Sequence, residues 1–234
     1  MTSAWSGGWS PRNSPAWRGL SVRAVRSTGT VNAIFRLGDH LYARLPRLAR
    51  YAQALDRECR WLPELTPRLP LRIPEPVAQG EPADRHPFTW AIYRWIDGQP
   101  YADELVDDER QAAGDLAGFV AGLRRMDPGG APRTGRRPLR ELDEGTRAVI
   151  DFGGVGAGDP AADVIAAWSV FGVAGRRAFR AALSVDDDTW NRARGYALHQ
   201  AALIIPYYAE TNPGFVAMAK RTVEEVLADV SGAR

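Results

Sequence analysis

A carboxylate that follows a short apolar stretch is the first candidate for chemistry in this chain. Val149-Ile150 precedes Asp151, and Phe152-Gly153-Gly154 follows it. The β-branched pair and the glycines predict a buried strand that delivers the Asp151 carboxylate to a sharp turn. Hard cations such as Mg²⁺ prefer oxygen ligands, so Asp151 is a candidate metal ligand. The same residues also suit a strand that ends in an Asx-type turn without binding anything.

A small polar turn near the start of the chain is a candidate phosphate-binding element. Thr28, Gly29 and Thr30 lie between two alternating stretches, residues 21–26 and 33–37. Two alternating strands joined by a polar turn predict a hairpin, and the backbone of such a turn can lie over phosphates.

A cation and a carboxylate follow on the next two predicted elements. Residues 41–47 read as a third strand that carries Arg44. Residues 48–65 read as a helix with Glu58 near its middle. A strand cation paired with a helix glutamate is the arrangement that grips the α- and β-phosphates of a nucleotide in kinases.

The remaining elements divide into strands and then helices. Residues 77–80 and 88–96 predict strands four and five, and the turn chemistry of residues 97–100 predicts a linker. Beyond the linker the apolar period lengthens to about 3.6, which predicts helices. The first helix covers residues 107–126. Two later helix faces are marked by Val164, Ile165, Trp168 and Phe171, and by Phe215, Ala219, Val223, Val226 and Val230.

Composition narrows the class of protein. The chain has 234 residues, a formal net charge of +2 and 45% hydrophobic residues, which is ordinary for a globular protein with a sizeable core. The charge is too balanced for a nucleic-acid-binding stripe, and no apolar run predicts a membrane span.

With Cys59 as its single cysteine, the chain forms no internal disulfide, and we expect a small core residue there rather than a reactive thiol. The cytoplasm is the expected location.

These blocks, in this order, resemble the aminoglycoside phosphotransferase family, also called the phosphotransferase enzyme family. The resemblance covers the chain from about residue 21 to residue 229. The matching blocks are Arg44-Leu45-Pro46-Arg47, Val149-Ile150-Asp151-Phe152-Gly153-Gly154 and Gly158-Asp159-Pro160, together with residues 28–39, 58–63, 206–208 and 211–213.

The resemblance implies an α+β fold of the two-lobed protein-kinase type. Residues 1–20 would be a flexible N-terminal tail, residues 21–96 an N-lobe with a five-stranded antiparallel sheet, and residues 97–230 a helical C-lobe. The implied reaction is phosphoryl transfer from ATP or GTP, with Mg²⁺, to a hydroxyl of a small molecule such as an aminoglycoside or a macrolide. No nucleic acid or membrane partner is implied, and the oligomeric state is left open.

The resemblance also implies roles for individual residues. Arg44 and Glu58 would place the α- and β-phosphates, and Asp151 would hold Mg²⁺. The backbone around Tyr93 and Trp95 would meet the adenine ring, although both side chains equally suit simple sheet packing. Thr28, Gly29 and Thr30 would cover the phosphates.

One departure from the family pattern concerns catalysis. Family members carry a His-Gly-Asp loop, followed by an Asn, before the Asp-Phe-Gly-like strand. None of the histidines, His40, His86 and His199, precedes such a pair, so the sequence offers no catalytic Asp. Residues 137–147 look like the early C-lobe and run directly into Val149, which predicts an internal deletion near residues 147–149. Asp186 and Asn191 are five residues apart, as are the Asp and the Asn of the family's loop, but a role as the N-cap of a helix explains Asp186 better.

The predicted deletion has structural and functional consequences. The strand at Val149-Ile150 would lose its partner and expose an unpaired edge, which predicts a marginally stable protein. Three functions remain open: a phosphotransferase with impaired or no turnover, a non-catalytic nucleotide-binding or interaction protein, and a truncated gene product without independent function. Acidic side chains on the helical side would either meet a cationic substrate or be solvated faces and caps; they are Asp163, Asp186, Glu210, Glu224 and Glu225.

Overall fold

The computed structural model describes residues 17, 19–25, 31–83, 86–100, 107–127, 129–130, 140–144, 148–150 and 152–232. The chain divides into two compact units. The first comprises the described part of residues 1–67 and 73–97, and the second that of residues 68–72 and 98–234. The boundary between Asp97 and Gly98 lies inside the stretch that the sequence predicts as a linker.

The first unit contains the predicted five-stranded antiparallel sheet, in the order β1-β2-β3-β5-β4. Alternation of side chains along β3 places Tyr42 and Arg44 on one face and Ala43 on the other. The Ala43 face carries a buried cluster of Leu37, Ala43, Trp90 and Ile92, against which Trp17 and Leu20 pack. The strands are β1 (Val22–Ala24), β2 (Asn32–Leu37), β3 (Leu41–Pro46), β4 (Pro76–Gly80) and β5 (Trp90–Arg94).

Helix α1 (Ala49–Leu65) packs against β3, β4 and β5. Its buried residues are Leu55, Glu58, Leu62 and Leu65, spaced so that they share one face of the helix. Glu58 therefore lies within an apolar stripe, where a carboxylate is tolerated only when it is paired. A short 3-10 helix, Thr66–Arg68, follows.

The second unit is mainly helical. Helix α2 packs against α4, and α5 packs against α6. No helix of the described ranges has both the length and the apolar character needed to cross a membrane. The helices are α2 (Glu109–Arg124), α3 (Ala166–Ser169), α4 (Val173–Leu183), α5 (Asp187–Tyr207) and α6 (Pro213–Ser231), with a 3-10 helix over Pro160–Val164.

The helix face predicted from Val164 to Phe171 does not belong to one regular helix, because a 3-10 helix over Pro160–Val164 is followed by the short helix α3. Val164, Ile165 and Trp168 are buried within these 3-10 and α-helical turns, as predicted. Phe171 is also fully buried, but it lies beyond the end of α3. The guanidinium of Arg221 donates to the carbonyl of Val170 at 3.1 Å, so a tertiary contact satisfies a carbonyl that a longer helix would have used.

A three-stranded sheet in the second unit corrects the expectation of an unpaired strand. It consists of β6 (Gln99–Pro100), β7 (Arg140–Glu144) and β8 (Ala148–Ile150), in that order. Strand β8 pairs antiparallel with β7. In addition, the N–H of Val149 donates to the carbonyl of Arg72 at 2.8 Å. The prediction of an open edge was wrong because the chain preceding Val149 folds back as its partner.

The ends of the long helices follow the local sequence. Asp186 is the N-cap of α5, and its carboxylate accepts the N–H of Thr189 at 2.6 Å. This confirms the capping interpretation of Asp186 over a catalytic one. Asp108 caps α2 and Asn212 caps α6 in the same way. Short polar side chains satisfy the otherwise unpaired N–H groups of a first helical turn.

Candidate functional site

Arg44 and Glu58 form a buried ion pair in the first unit. Arg44 Nη1 lies 2.5 Å from Glu58 Oε2. The exposed fractions of the two side chains are 15% and 1%. Removing two charges from water is costly, and their attraction offsets this only when the geometry is close and hydrogen-bonded. The fold therefore holds the Arg44 guanidinium against the Glu58 carboxylate, with Arg44 the more exposed of the two side chains.

Tyr93 contributes a second hydrogen bond to the same carboxylate oxygen. Its hydroxyl donates to Glu58 Oε2 at 3.1 Å. The Arg44 guanidinium carbon lies 5.5 Å from the centre of the Tyr93 ring. Burial, reinforced by the negative charge of Glu58, raises the pKa of Tyr93 far above its ordinary value. Tyr93 is therefore protonated and available as a hydrogen-bond donor at neutral pH.

Cys59 lies beside this group without being a reactive thiol. Its Sγ is 3.9 Å from the hydroxyl oxygen of Tyr93. Burial raises the pKa of the Cys59 thiol to about 11, and the charge of Glu58 adds to this. A thiol with a raised pKa has little of the thiolate that reacts as a nucleophile.

Trp95 lies against a cation and another aromatic ring. The guanidinium carbon of Arg36 is 3.7 Å from the centre of the Trp95 ring, and the Tyr42 ring meets Trp95 edge-on at 5.8 Å. The backbone N–H of Trp95 donates to the carbonyl of His40 at 2.8 Å, so this group is used within the first unit. A role for Trp95 in binding a nucleobase therefore has to come from its ring or carbonyl.

The predicted phosphate turn and the predicted metal ligand lie outside the described residues; they are Thr28, Gly29, Thr30 and Asp151. The strands on either side of the turn are paired through Ala24 and Phe35. Phe152, directly after Asp151, is buried with its ring 6.4 Å from that of Phe119. Among the described residues no group of His, Cys, Asp and Glu side chains is arranged to hold a metal ion.

A second polar cluster lies in the second unit around Asp159. The Tyr196 hydroxyl donates to Asp159 Oδ2 at 2.7 Å, and Arg192 Nε lies 3.3 Å from the same oxygen. Burial opposes ionisation of Asp159, but bonds from the Ala161 N–H, Tyr196 and Arg192 keep its pKa below the ordinary value. Burial raises the pKa of Asp163 to about 6, with Arg124 opposing the shift and Asp159 adding to it.

The family assignment rests on the extent of the sequence match. The phosphotransferase enzyme family matches residues 21–147 and 139–196, which is most of the chain. The chain belongs to the phosphotransferase enzyme family. No protein with curated annotation matches it.

Solved structures agree with this phosphotransferase family assignment at the level of the fold. The GDP complex of aminoglycoside 2'-phosphotransferase-IIIa is 17% identical, with a TM-score of 0.67 over 89% of this chain and 93% of that one. The streptomycin–ATP complex of APH(2″)-IIa is 15% identical, with a TM-score of 0.58 over 89% and 91%. Macrolide 2'-phosphotransferase MphH from Brachybacterium faecium is 16% identical, with a TM-score of 0.60 over 88% and 95%. The kinase-like fold expected from the sequence is confirmed.

The structure of this phosphotransferase-family chain adds contacts that the sequence did not predict. It brings together Arg44 and Glu58, which the sequence singled out, and adds the Tyr93 hydroxyl to them. Tyr93 lies in a strand that is buried from Trp90 onward up to the exposed Arg94, and an aromatic residue there suits a sheet contact as well as a hydrogen bond to a carboxylate. Nothing in the sequence predicted the contact of Arg36 with Trp95, because the two residues are distant in the chain.

Proposed function

We propose that this chain binds ATP or GTP together with Mg²⁺ in its first unit, as a small-molecule phosphotransferase of its family, and that its transfer of phosphate to a hydroxylated acceptor is impaired. The observation that carries the proposal is the buried ion pair of Arg44 and Glu58, at 2.5 Å. The nucleotide would supply the phosphoryl group. The chain's own contribution is to bind and orient it.

The ion pair favours a binding role because it is a costly arrangement for stability alone. A hydrophobic pair of similar volume is often as stable or more stable than a buried ion pair. Arg44 keeps 15% of its side chain exposed, whereas Glu58 is buried, so the cation is the more accessible member of the pair. A planar guanidinium held in this way suits two oxygens of a phosphate. GDP and ATP are the nucleotides named in the structures of two related folds.

The impairment is proposed from the residues that the sequence lacks. Positioning and charge neutralisation dominate phosphoryl transfer, and the His-Gly-Asp loop of the family would orient the acceptor hydroxyl and a metal. General acid–base assistance alone contributes roughly 10²–10⁴-fold to a rate. Losing that assistance together with a metal ligand should lower turnover further.

The acceptor is proposed only as a class, a hydroxylated small molecule. One protein of similar fold was solved as a complex with streptomycin. Another is named as a macrolide 2'-phosphotransferase. Two of the acidic residues considered for a cationic acceptor have internal partners: Asp186 caps α5 and Glu225 pairs with Arg176. These two are better explained as structural residues. Glu210 and Glu224 are exposed and stay candidates.

The first experiment is a thermal melt of the purified chain with and without millimolar Mg-ATP or Mg-GTP. A ligand that binds only the folded state stabilises it by about 2.7 kcal/mol at a hundredfold excess over its Kd. We expect the nucleotide to raise the melting temperature of the unaltered chain and not that of Arg44→Ala. In Asp151→Ala the increase should be smaller, because the proposed Mg²⁺ ligand is missing. Tyr196→Phe, in the second unit, serves as a control that keeps the shift.

The acceptor step is tested separately with radiolabelled nucleotide and a panel of aminoglycosides and macrolides. Binding with transfer at a rate far below that of an intact family member supports the proposal. Binding with no transfer above the uncatalysed rate favours the alternative, a non-catalytic nucleotide-binding protein. No shift with either nucleotide would overturn the proposal and leave the family name as a statement of ancestry.

A further inference from the structure

We propose that Tyr93 is a positioning residue whose hydroxyl orients the Glu58 carboxylate and, through it, the Arg44 guanidinium. This inference rests on the proposed function, in which Arg44 places the nucleotide phosphates. It assigns Tyr93 a different task from the nucleobase contact that the sequence predicted near it.

The geometry joins three elements at one oxygen atom. Glu58 Oε2 lies 2.5 Å from Arg44 Nη1 on β3 and 3.1 Å from the Tyr93 hydroxyl on β5. Glu58 itself comes from α1. Tyr93 and Glu58 are both fully buried. The carboxylate is therefore held from two strands at once, which restricts both its rotation and the position of α1.

The Tyr93 side chain is not available for direct contact with a ligand. It has no exposed surface, and its ring stacks on that of Tyr42 with the two centres 5.3 Å apart. Tyr93 can therefore act on a nucleotide only through its neighbours, and its hydroxyl donates to the Glu58 carboxylate. A buried site also contains no bulk water to replace the hydroxyl, so its removal leaves the carboxylate less constrained.

The hydrogen bond is of the stronger kind, because its acceptor is ionised. Such bonds are roughly twice as strong as those between neutral groups. Tyr93 keeps its proton, as the direction of its pKa shift requires. Arg44 always carries its charge. The two groups that contact Glu58 Oε2 therefore both keep their protons at neutral pH.

The test is Tyr93→Phe, which removes the hydroxyl and keeps the ring. The affinities of the full chain for Mg-ATP or Mg-GTP and for the matching nucleoside are measured by calorimetry. We expect the Kd of the triphosphate to rise by about tenfold, a fold-change typical of a lost bond to a charged group, while the Kd of the nucleoside stays unchanged. In an Arg44→Ala background the same substitution should change neither Kd.

The control is Tyr196→Phe, which removes a hydroxyl bonded to Asp159 at 2.7 Å in the second unit. It matches the chemistry of the Tyr93 variant and should leave both affinities unaltered. An equal loss of triphosphate and nucleoside affinity in Tyr93→Phe would assign the residue a purely structural role and overturn the inference. Unchanged triphosphate affinity in that variant would also overturn it.

A separate measurement distinguishes failure of this inference from failure of the proposed function. If the unaltered chain binds no nucleotide, the function fails, and the contact is tested by a double-mutant cycle of Tyr93→Phe and Glu58→Gln in chemical unfolding. We expect the two substitutions to be coupled by threefold or more in the unfolding equilibrium constant, roughly what contacting residues show. Additive effects would then overturn the positioning role as well.

Discussion

The carboxylate of Glu109, in the first turn of α2, accepts a hydrogen bond from the N–H of Gly175, in the first turn of α4, at 2.9 Å. Its other oxygen accepts the N–H of Gly172 at 2.5 Å. Helix α4 has no cap from its own side chains. A residue 66 positions away in sequence therefore does what a local Ser or Asp does elsewhere.

This contact predicts that Glu109→Ala destabilises the chain. The substitution leaves two N–H groups of α4 without their acceptor and removes a negative charge from the positive end of the helix, so we expect a loss of about 1–3 kcal/mol. Glu109→Gln keeps one acceptor and should lose less. Chemical unfolding followed by circular dichroism measures both.

The same contact makes the effect of a substitution at Gly175 depend on the residue at position 109. A Cβ added at Gly175 would lie 2.7 Å from Glu109 side-chain carbons, too close for an ordinary contact. Gly175→Ala should therefore be destabilising alone and close to neutral once Glu109 is alanine. Equal losses in the two backgrounds would contradict the packing described between α2 and α4.

The ion pair of Arg44 and Glu58 predicts unequal effects of single and double substitution. Glu58→Ala leaves a largely buried guanidinium without this carboxylate and should cost about 3–5 kcal/mol of unfolding free energy. The double variant Arg44→Met with Glu58→Leu should recover part of that loss, because apolar residues of similar size suit the site, while the buried Tyr93 hydroxyl still loses its acceptor. The recovered protein should bind no nucleotide. Recovery of stability together with retained binding would speak against the role of the pair.

The half-buried carboxyl of Asp163 predicts a pH dependence of stability. Burial raises its pKa to about 6, above the ordinary value of 3.8. A group that binds its proton more tightly in the folded state makes the protein more stable as the pH falls through that interval. Between pH 7 and pH 4 this group alone should add about 1–3 kcal/mol. Asp163→Asn should remove that component, which is measured as the difference between the two unfolding curves across pH.

Gly80 is predicted to tolerate no side chain. An added Cβ would lie 1.8 Å from a ring carbon of Trp90, which is itself buried in the sheet. Gly80→Ala must displace the indole and should cost more than the roughly 1–3 kcal/mol typical of overpacking. Gly118→Ala is the matched control, since that helix position is exposed and has no atom within 4 Å of the added Cβ. It should stabilise the chain by about 0.4–1 kcal/mol. Similar melting temperatures for the two variants would contradict the packing at Gly80.

Local features of the chain were readable from the sequence. The strands of the first unit, the helix that carries Glu58 and the cap at Asp186 follow from alternation, helical period and short polar side chains, which act within a few residues of one another. The pairing of Arg44 with Glu58 came from the arrangement in kinases, where a strand cation meets a helix glutamate. These predictions were confirmed by the strands, the helix α1, the ion pair and the cap of α5.

Only the tertiary structure decided which groups meet across distance. The Tyr93 hydroxyl on Glu58 and the Glu109 carboxylate on α4 each join segments far apart in the chain. No local pattern records such a partner, because a side chain's own propensity is the same whether its hydrogen bond ends on water or on a distant carboxylate. Burial decides the partner, because a polar group removed from water is stable only when the fold places a hydrogen-bonding group beside it.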